Sequence, residues 1–372
     1  MLAFRGTTPF YYWLFARRRC AAQRGRQYSC AVSAFTEGSG ETRPTRTVAW
    51  AGGGQVALES GRMWSGRVLL AGWMLAGAGQ AGGGVQGTVR QENWDHCIGS
   101  DPDASIAGCT ALIRAGEEVE FNLANVYYNR AIAYIGKGDF DRAILDFDQV
   151  ITLNPQDADA LFNRGNAFNV MGDFARAVRD LDQSLAIDAT KPQRFMARGL
   201  AHNRLGEYDL ALKDFESGIA LDPRFAPLYN NRGNTYKDMR DLAKALEDFD
   251  RALALNPRYA IAMDNRGFVL AMQGEYDRAL DSFDQSIAIN PASAVVYDDR
   301  GATWLRKGDA ERALADFEAA LKLNPRRASS LYGRGLAKRA KGDATGADTD
   351  IANATHLQSD VATTMPLLST RP

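Results

Sequence analysis

No apolar run in this chain of 372 residues is long enough to cross a bilayer as a helix. The longest, Val68 to Ala78, has 11 residues, against the roughly 20 that a span needs. Histidine is scarce, limited to His96, His202 and His356, and the four cysteines are scattered. A metal-rich protein is thereby excluded, and no cofactor is expected. The chain shows no nucleophile–histidine–acid set and no phosphate-binding loop, so no enzymatic activity is expected. The formal charge is −1, which leaves no basic excess for general nucleic-acid binding.

The near-zero charge conceals a division. Residues 1–81 carry 10 basic and 3 acidic side chains and four of the six tryptophans. The remainder carries an acidic excess of 8. Residues 1–36 contain six arginines and no acid, the composition of a mitochondrial transit peptide. From Met63, however, Arg67 forms a positive n-region and Val68–Ala78 an apolar h-region. Ala76-Gly77-Ala78 and Gly79-Gln80-Ala81 then offer small residues at a cleavage site. That order is the layout of a secretory signal peptide. The expected organisation is a mis-called N-terminal extension at 1–62 and a signal at 63–81. A flexible leader follows at 82–93 and a helical cap at 94–123. The product is expected to be periplasmic or secreted; a mitochondrial adaptor is the alternative.

What the rest contains is repetition. Asn129-Arg130-Ala131 returns every 34 residues as Asn163-Arg164-Gly165, Ala197-Arg198-Gly199, Asn231-Arg232-Gly233, Asn265-Arg266-Gly267, Asp299-Arg300-Gly301 and Gly333-Arg334-Gly335. Seven units fill 124–361 without insertion, and 362–372 remain as a C-terminal tail. Within a unit, position 4 is large and apolar and position 8 is small. Position 15 is Gly in all but Arg240. Position 16 is Asp or Glu, position 20 is Ala, and position 24 is Phe in five units. Proline closes five units, at Pro155, Pro223, Pro257, Pro291 and Pro325. The spacing predicts two helices per unit, with a left-handed residue ending the first and an acid capping the second.

This register resembles the tetratricopeptide repeat family over 238 of the 372 residues. The constant period argues against pentatricopeptide or Sel1-like repeats. The resemblance implies an all-α, right-handed superhelical solenoid of helix-turn-helix repeats whose first helices line a concave groove. It also implies a non-enzymatic scaffold that binds peptide segments of partner proteins. An RNA-binding helical repeat protein is the alternative, which the acidic excess disfavours. The carboxylate clamp of chaperone-binding members is absent, since position 5 holds no lysine.

Position 7, apolar in the family, is arginine in every unit, and position 23 is aspartate in all but Ser282. The two are expected to pair between helices, although an arginine row for anionic ligands would show the same residues. Family geometry implies a groove lined by Tyr128, Asn129, Phe162, Asn163, Asn166, Met196, Asn230, Asn231, Asn234, Asp264, Asn265 and Asp298. The asparagines resemble the ladder in the repeats of O-linked N-acetylglucosamine transferases. Such amides can pair with a peptide backbone, or can simply be polar groups on a wet surface. Tyr128, Phe162 and Met196 at one end and Asp264 and Asp298 at the other imply a ligand apolar at one end and basic at the other.

Asp101-Pro102 is a helix start, and Ala104, Ile106, Cys109, Leu112 and Ile113 form the apolar stripe of a cap. Cys97 and Cys109 are the only cysteines after the signal. In a secreted chain they are expected to form a disulfide; in a cytosolic one they would be two buried thiols. Intact mass of the exported product should place its N-terminus between residues 79 and 82. A cytosolic product retaining residues 1–62 would remove the secretory reading.

Overall fold

The computed structural model describes residues 17–23, 27–33, 83–365 and 367–368. Two short strands, β1 (Arg17–Gln23) and β2 (Gln27–Ser33), pair antiparallel outside the repeats. Otherwise the expected extension 1–62 and signal 63–81 lie outside the described residues. The described residues from 83 onward are helical or connecting. The chain divides into two compact units that meet within the second repeat, after Met171.

The earlier unit holds five helices: α1 (Gly83–Cys97), α2 (Pro102–Ala115), α3 (Glu120–Gly136), α4 (Phe140–Leu153) and α5 (Ala158–Met171). The expected flexible leader is therefore a helix. Its four-then-three spacing puts Arg90, Trp94 and Cys97 on one face. Trp94 and Cys97 are buried there, in a cluster with Cys109, Leu112 and Val126. Glu118, itself buried, binds both Nε and Nη2 of Arg90 and accepts from Trp94 Nε1 at 3.1 Å. Gly108 lets the two helices touch, because a Cβ there would lie 2.5 Å from the Asn93 carbonyl oxygen. Cys97 and Cys109 are joined by a disulfide across this hairpin.

The later unit holds α6 (Phe174–Ile187), α7 (Pro192–Leu205), α8 (Tyr208–Leu221), α9 (Ala226–Asp238), α10 (Leu242–Leu255), α11 (Ala260–Met272), α12 (Tyr276–Ile289), α13 (Ala294–Lys307), α14 (Ala310–Leu323), α15 (Ala328–Ala340), α16 (Ala344–Leu357) and α17 (Val361–Thr364). From the third repeat each first helix opens on position 1 and each second helix on position 17. Local chemistry sets these limits. Asp139, Asp173, Asp241, Asp309 and Asp343 each accept from the amide three residues on. Glu207 and Glu275 make no such bond. At the other end of the second helix, an Asn or Asp at position 31 accepts from the amide two residues later. Asn256 does so from Arg258 at 3.1 Å. This Asx turn brackets the proline.

Within each repeat the core sets a buried side chain of the second helix against the first helix. Phe147, Phe215, Phe249, Phe283 and Phe317 have no exposed surface, and neither do the position-20 alanines. Each such ring contributes about 1.5–3 kcal/mol by burial. Added methyls at Gly199, Gly233 and Gly267 would stand 2.8 Å from the Phe at position 24 of the same repeat. The helical glycines thus admit a ring that alanine would push away.

Of the expected tail, residues 362–365, 367 and 368 are described. After α17 a turn closes with Leu368 N donating to Met365 O at 3.0 Å. Val361, Met365 and Leu367 are all buried.

Glycine at position 15 has φ between 74° and 90° in six repeats, and Arg240 holds the same place at φ 66°. An L side chain there costs about 1–2 kcal/mol, partly offset by the lower chain entropy it leaves in the unfolded state. Arg240→Gly should therefore stabilise the protein by about 0.5–1 kcal/mol. The urea midpoint should rise with the slope unchanged; an unchanged or lower midpoint would contradict the strain.

Candidate functional site

The arginine row is occupied by the protein's own carboxylates. Arg130 meets Asp146 through Nε at 2.8 Å and Nη2 at 2.7 Å. Arg198–Asp214, Arg232–Asp248, Arg300–Asp316 and Arg334–Asp350 repeat that two-point contact. Arg266, facing Ser282, donates to its hydroxyl at 3.1 Å. Where position 4 is tyrosine the guanidinium also stacks on the ring, as Arg232 does on Tyr229 at 5.7 Å.

A second partner escaped sequence reasoning. In four repeats the remaining nitrogen of the fork reaches an acid at position 25 of the preceding repeat. Arg164 meets Asp148 and Arg300 meets Asp284 at 2.5 Å, Arg198 meets Asp182 at 2.6 Å, and Arg266 meets Asp250 at 3.2 Å. Arg130, which has no preceding repeat, uses Thr110 Oγ1 in α2 at 3.0 Å. The signal was available: position 25 is acidic in six repeats and Ala352 in the seventh.

Hydrogen bonds donated to the facing aspartates hold Arg130, Arg198, Arg232 and Arg334 above the ordinary guanidinium range, against the opposing pull of burial. Burial pushes Asp146, Asp248 and Asp316 up, with the facing arginine pulling back. Desolvation and attraction thus oppose each other across the pair.

The implied groove residues divide by unit. In the earlier unit Tyr128 is 0% exposed and Phe162 6%, and in the later one Met196 is 3%. These side chains are buried and are not the exposed apolar end that position 5 implied. Tyr128 packs edge-on against Phe147 and its hydroxyl accepts from Asn163 Nδ2 at 2.7 Å. Asn265 Nδ2 makes the equivalent bond to Asn230 Oδ1 at 2.9 Å in the later unit. Positions 5 and 6 therefore form the seam between successive first helices, with 35 residues between partners.

The acidic end is also altered. Asp298 is buried, paired with Arg327, and accepts from the hydroxyls of Ser329 and Ser330 at 2.5 Å. It has nothing left for a basic ligand, and its partner is not the neighbouring Arg306. Asp264 is half-buried; burial and the negative charge of Asp299 hold its carboxyl well above the usual range. Burial lowers the ammonium of Lys237 nearby, which donates to Asn234 Oδ1 at 3.0 Å. In the later unit Asn230, Asn234 and Asn265 thus bond within the chain, while Asn231 Nδ2 has no partner.

The earlier unit differs. Asn163 and Asn166 have no exposed surface, yet Asn163 Oδ1 and both amide atoms of Asn166 lack a partner. Asn129 Nδ2 lacks one too. Leaving such a buried group unpaired costs about 1–3 kcal/mol. Among the described residues no group of histidine, cysteine and acids is placed to hold a metal ion, and no helix is long and apolar enough to cross a membrane.

Antiparallel helix pairs at a constant 34-residue period, four of them with a glycine facing a phenylalanine, define a helical-hairpin repeat scaffold. Tetratricopeptide repeat sequence models match residues 128–194, 193–225, 226–259, 260–293 and 304–354, and the chain belongs to that family. No curated protein matches it in sequence. Among solved structures it is similar to a tetratricopeptide repeat protein from Parabacteroides merdae. Identity is 22%, with 66% of this chain and 97% of that one covered, at a TM-score of 0.53. It is also similar to a chain of the APC/C hetero-tetramer Cut9–Hcn1, at 19% identity and a TM-score of 0.53, covering 68% of this chain and 52% of that one. Both likenesses are of fold alone.

Arg232→Ala should destabilise the protein by about 2–3 kcal/mol. That is below the full cost of breaking a buried pair, because Arg232 keeps 21% exposure beside Asp248 at 5%. The double change Arg232→Leu with Asp248→Tyr should recover much of the loss in thermal melts. Unchanged stability of Arg232→Ala together with lost ligand binding would make the row a ligand site instead.

Proposed function

We propose that this protein is a non-enzymatic scaffold that holds peptide segments of partner proteins against the asparagines of its first two repeats. Tetratricopeptide repeat proteins generally mediate protein–protein interactions, and that coarse role follows from family membership. The peptide reading rests on one observation, the unpaired amide atoms of Asn163 and Asn166 together with Asn129. A peptide main chain supplies both the donors and the acceptors they lack, with no demand on its side chains. Entry of a peptide requires this closed face to open. Tyr128, Phe162, Met196 and Asp298 are buried, so the proposal carries no sequence polarity.

The proposal extends to an oxidising compartment, the periplasm or the exterior. The ordered n-region, h-region and small residues at 63–81 support it, and so does the disulfide between Cys97 and Cys109.

The test is a random peptide library panned on the whole protein. Enriched peptides should be diverse in side chain, and each should bind at least tenfold more weakly to the Asn163→Ala, Asn166→Ala double variant. Asn163→Ala gives up the bond to the Tyr128 hydroxyl while the pair of changes removes unpaired buried amides, so a thermal melt first checks that the variant is folded. Absent enrichment, or binding indifferent to both substitutions, would end the peptide reading.

A further inference from the structure

Two seams between successive first helices carry a bond in the same register. Position 5 of one repeat accepts and position 6 of the next donates. Tyr128 Oη takes Asn163 Nδ2 at 2.7 Å, and Asn230 Oδ1 takes Asn265 Nδ2 at 2.9 Å, each pair 35 residues apart. The residue 35 positions after Asp264 is Asp299. Between α11 and α13 that register sets carboxyl against carboxyl, and neither brings a permanent N–H. Asp264 bears the consequence, since its Oδ1 atom is buried without a hydrogen-bond partner. The following seam avoids the difficulty. There Asp298, again at position 5, takes the hydroxyls of Ser329 and Ser330 and the guanidinium of Arg327. The cation of α9 does not fill the gap. Lys237 gives its ammonium to Asn234 Oδ1 at 3.0 Å and lies over the Phe268 ring at 5.6 Å, with no ion pair among the described residues. Lys237 itself faces Asp238 on its own helix and Arg204 on α7. Burial and the charge of Asp299 raise the Asp264 carboxyl, while Lys237 and Arg327 pull it only part of the way back.

We propose that Asp264 and Asp299 are an acid-operated clasp between repeats 5 and 6, in which one proton taken from solvent supplies the donor that an asparagine amide supplies at two other seams. In acid, one carboxyl is protonated and donates its O–H to the other. The first helices α11 and α13 are then tied as α3 is to α5 and α9 to α11. At higher pH the proton returns to solvent, two like charges face each other, and the tie is lost. The folded chain holds a proton that the unfolded chain has released. The contribution is therefore whole below the ordinary carboxylate range and is lost as pH rises through the raised value of Asp264. The amide ties carry no titrating proton, so acid tightens one joint of the array and leaves those two unchanged. The clasp uses none of the asparagines of repeats 1 and 2, so this proposal and the preceding one can fail separately.

The test compares the full-length protein with Asp264→Asn, whose amide offers Asp299 an N–H at every pH. Thermal midpoints of the two should coincide at about pH 5, and the variant should melt several degrees higher at about pH 8, the gap widening as pH rises. Asp299→Asn, the residue type of Asn163 and Asn265, should flatten the pH dependence in the same way. Infrared difference spectra at about pH 6, where ordinary carboxyls are ionised, should show a protonated-carboxyl band in the parent that Asp264→Asn lacks. A gap that stays constant with pH, a variant less stable than the parent at the upper pH, or identical infrared spectra would overturn the clasp.

Discussion

One guanidinium per repeat ties the first helix to its neighbours. In Arg198 and Arg300, Nε and Nη2 take the aspartate of the same repeat and the remaining nitrogen takes the acid of the repeat before. The planar fork fixes both distance and angle, which an apolar contact at the same place would not do. The gain lies less in net stability than in register, because desolvation opposes the attraction. Repeats of near-identical sequence can slide past one another, and a bond that counts residues across the seam opposes that slip.

The close approach that makes the fork possible comes from its neighbour in sequence. Position 8 follows the arginine directly, and its missing side chain lets the ring at position 24 press on the first helix. That ring follows the aspartate of position 23 in the same way. Glycine beside arginine thus meets phenylalanine beside aspartate, and the apolar and charged contacts set each other's geometry. Repeat 1 shows the tolerance: Ala131 replaces glycine, and Arg130 still holds Asp146 at two points.

The period alone placed the helices, because capping acids, left-handed glycines and prolines are local signals acting within a few residues. The arginine–aspartate pairing was also readable, since two unusual residue types departed from the family together. Position 25 was overlooked because an acid on the outer side of a second helix resembles ordinary solvation. Its role shows only when successive repeats are stacked. Groove exposure was misjudged at Tyr128, Phe162 and Asp298 for the same reason, since the side chains of position 5 meet the next first helix rather than water. The helix over 83–97 was hidden by glycines at its start, although Arg90, Trp94 and Cys97 already shared one face.

The acids at position 25 stop at Ala352, and the first arginine closes on a neutral hydroxyl, Thr110, rather than on a carboxylate. Neither end of the array is bare: α2 lies against the first arginine, and α17 packs Val361 beside Leu331 and Ala354 of the last repeat. These elements take the place that a further repeat from another molecule would need, which opposes growth into open filaments.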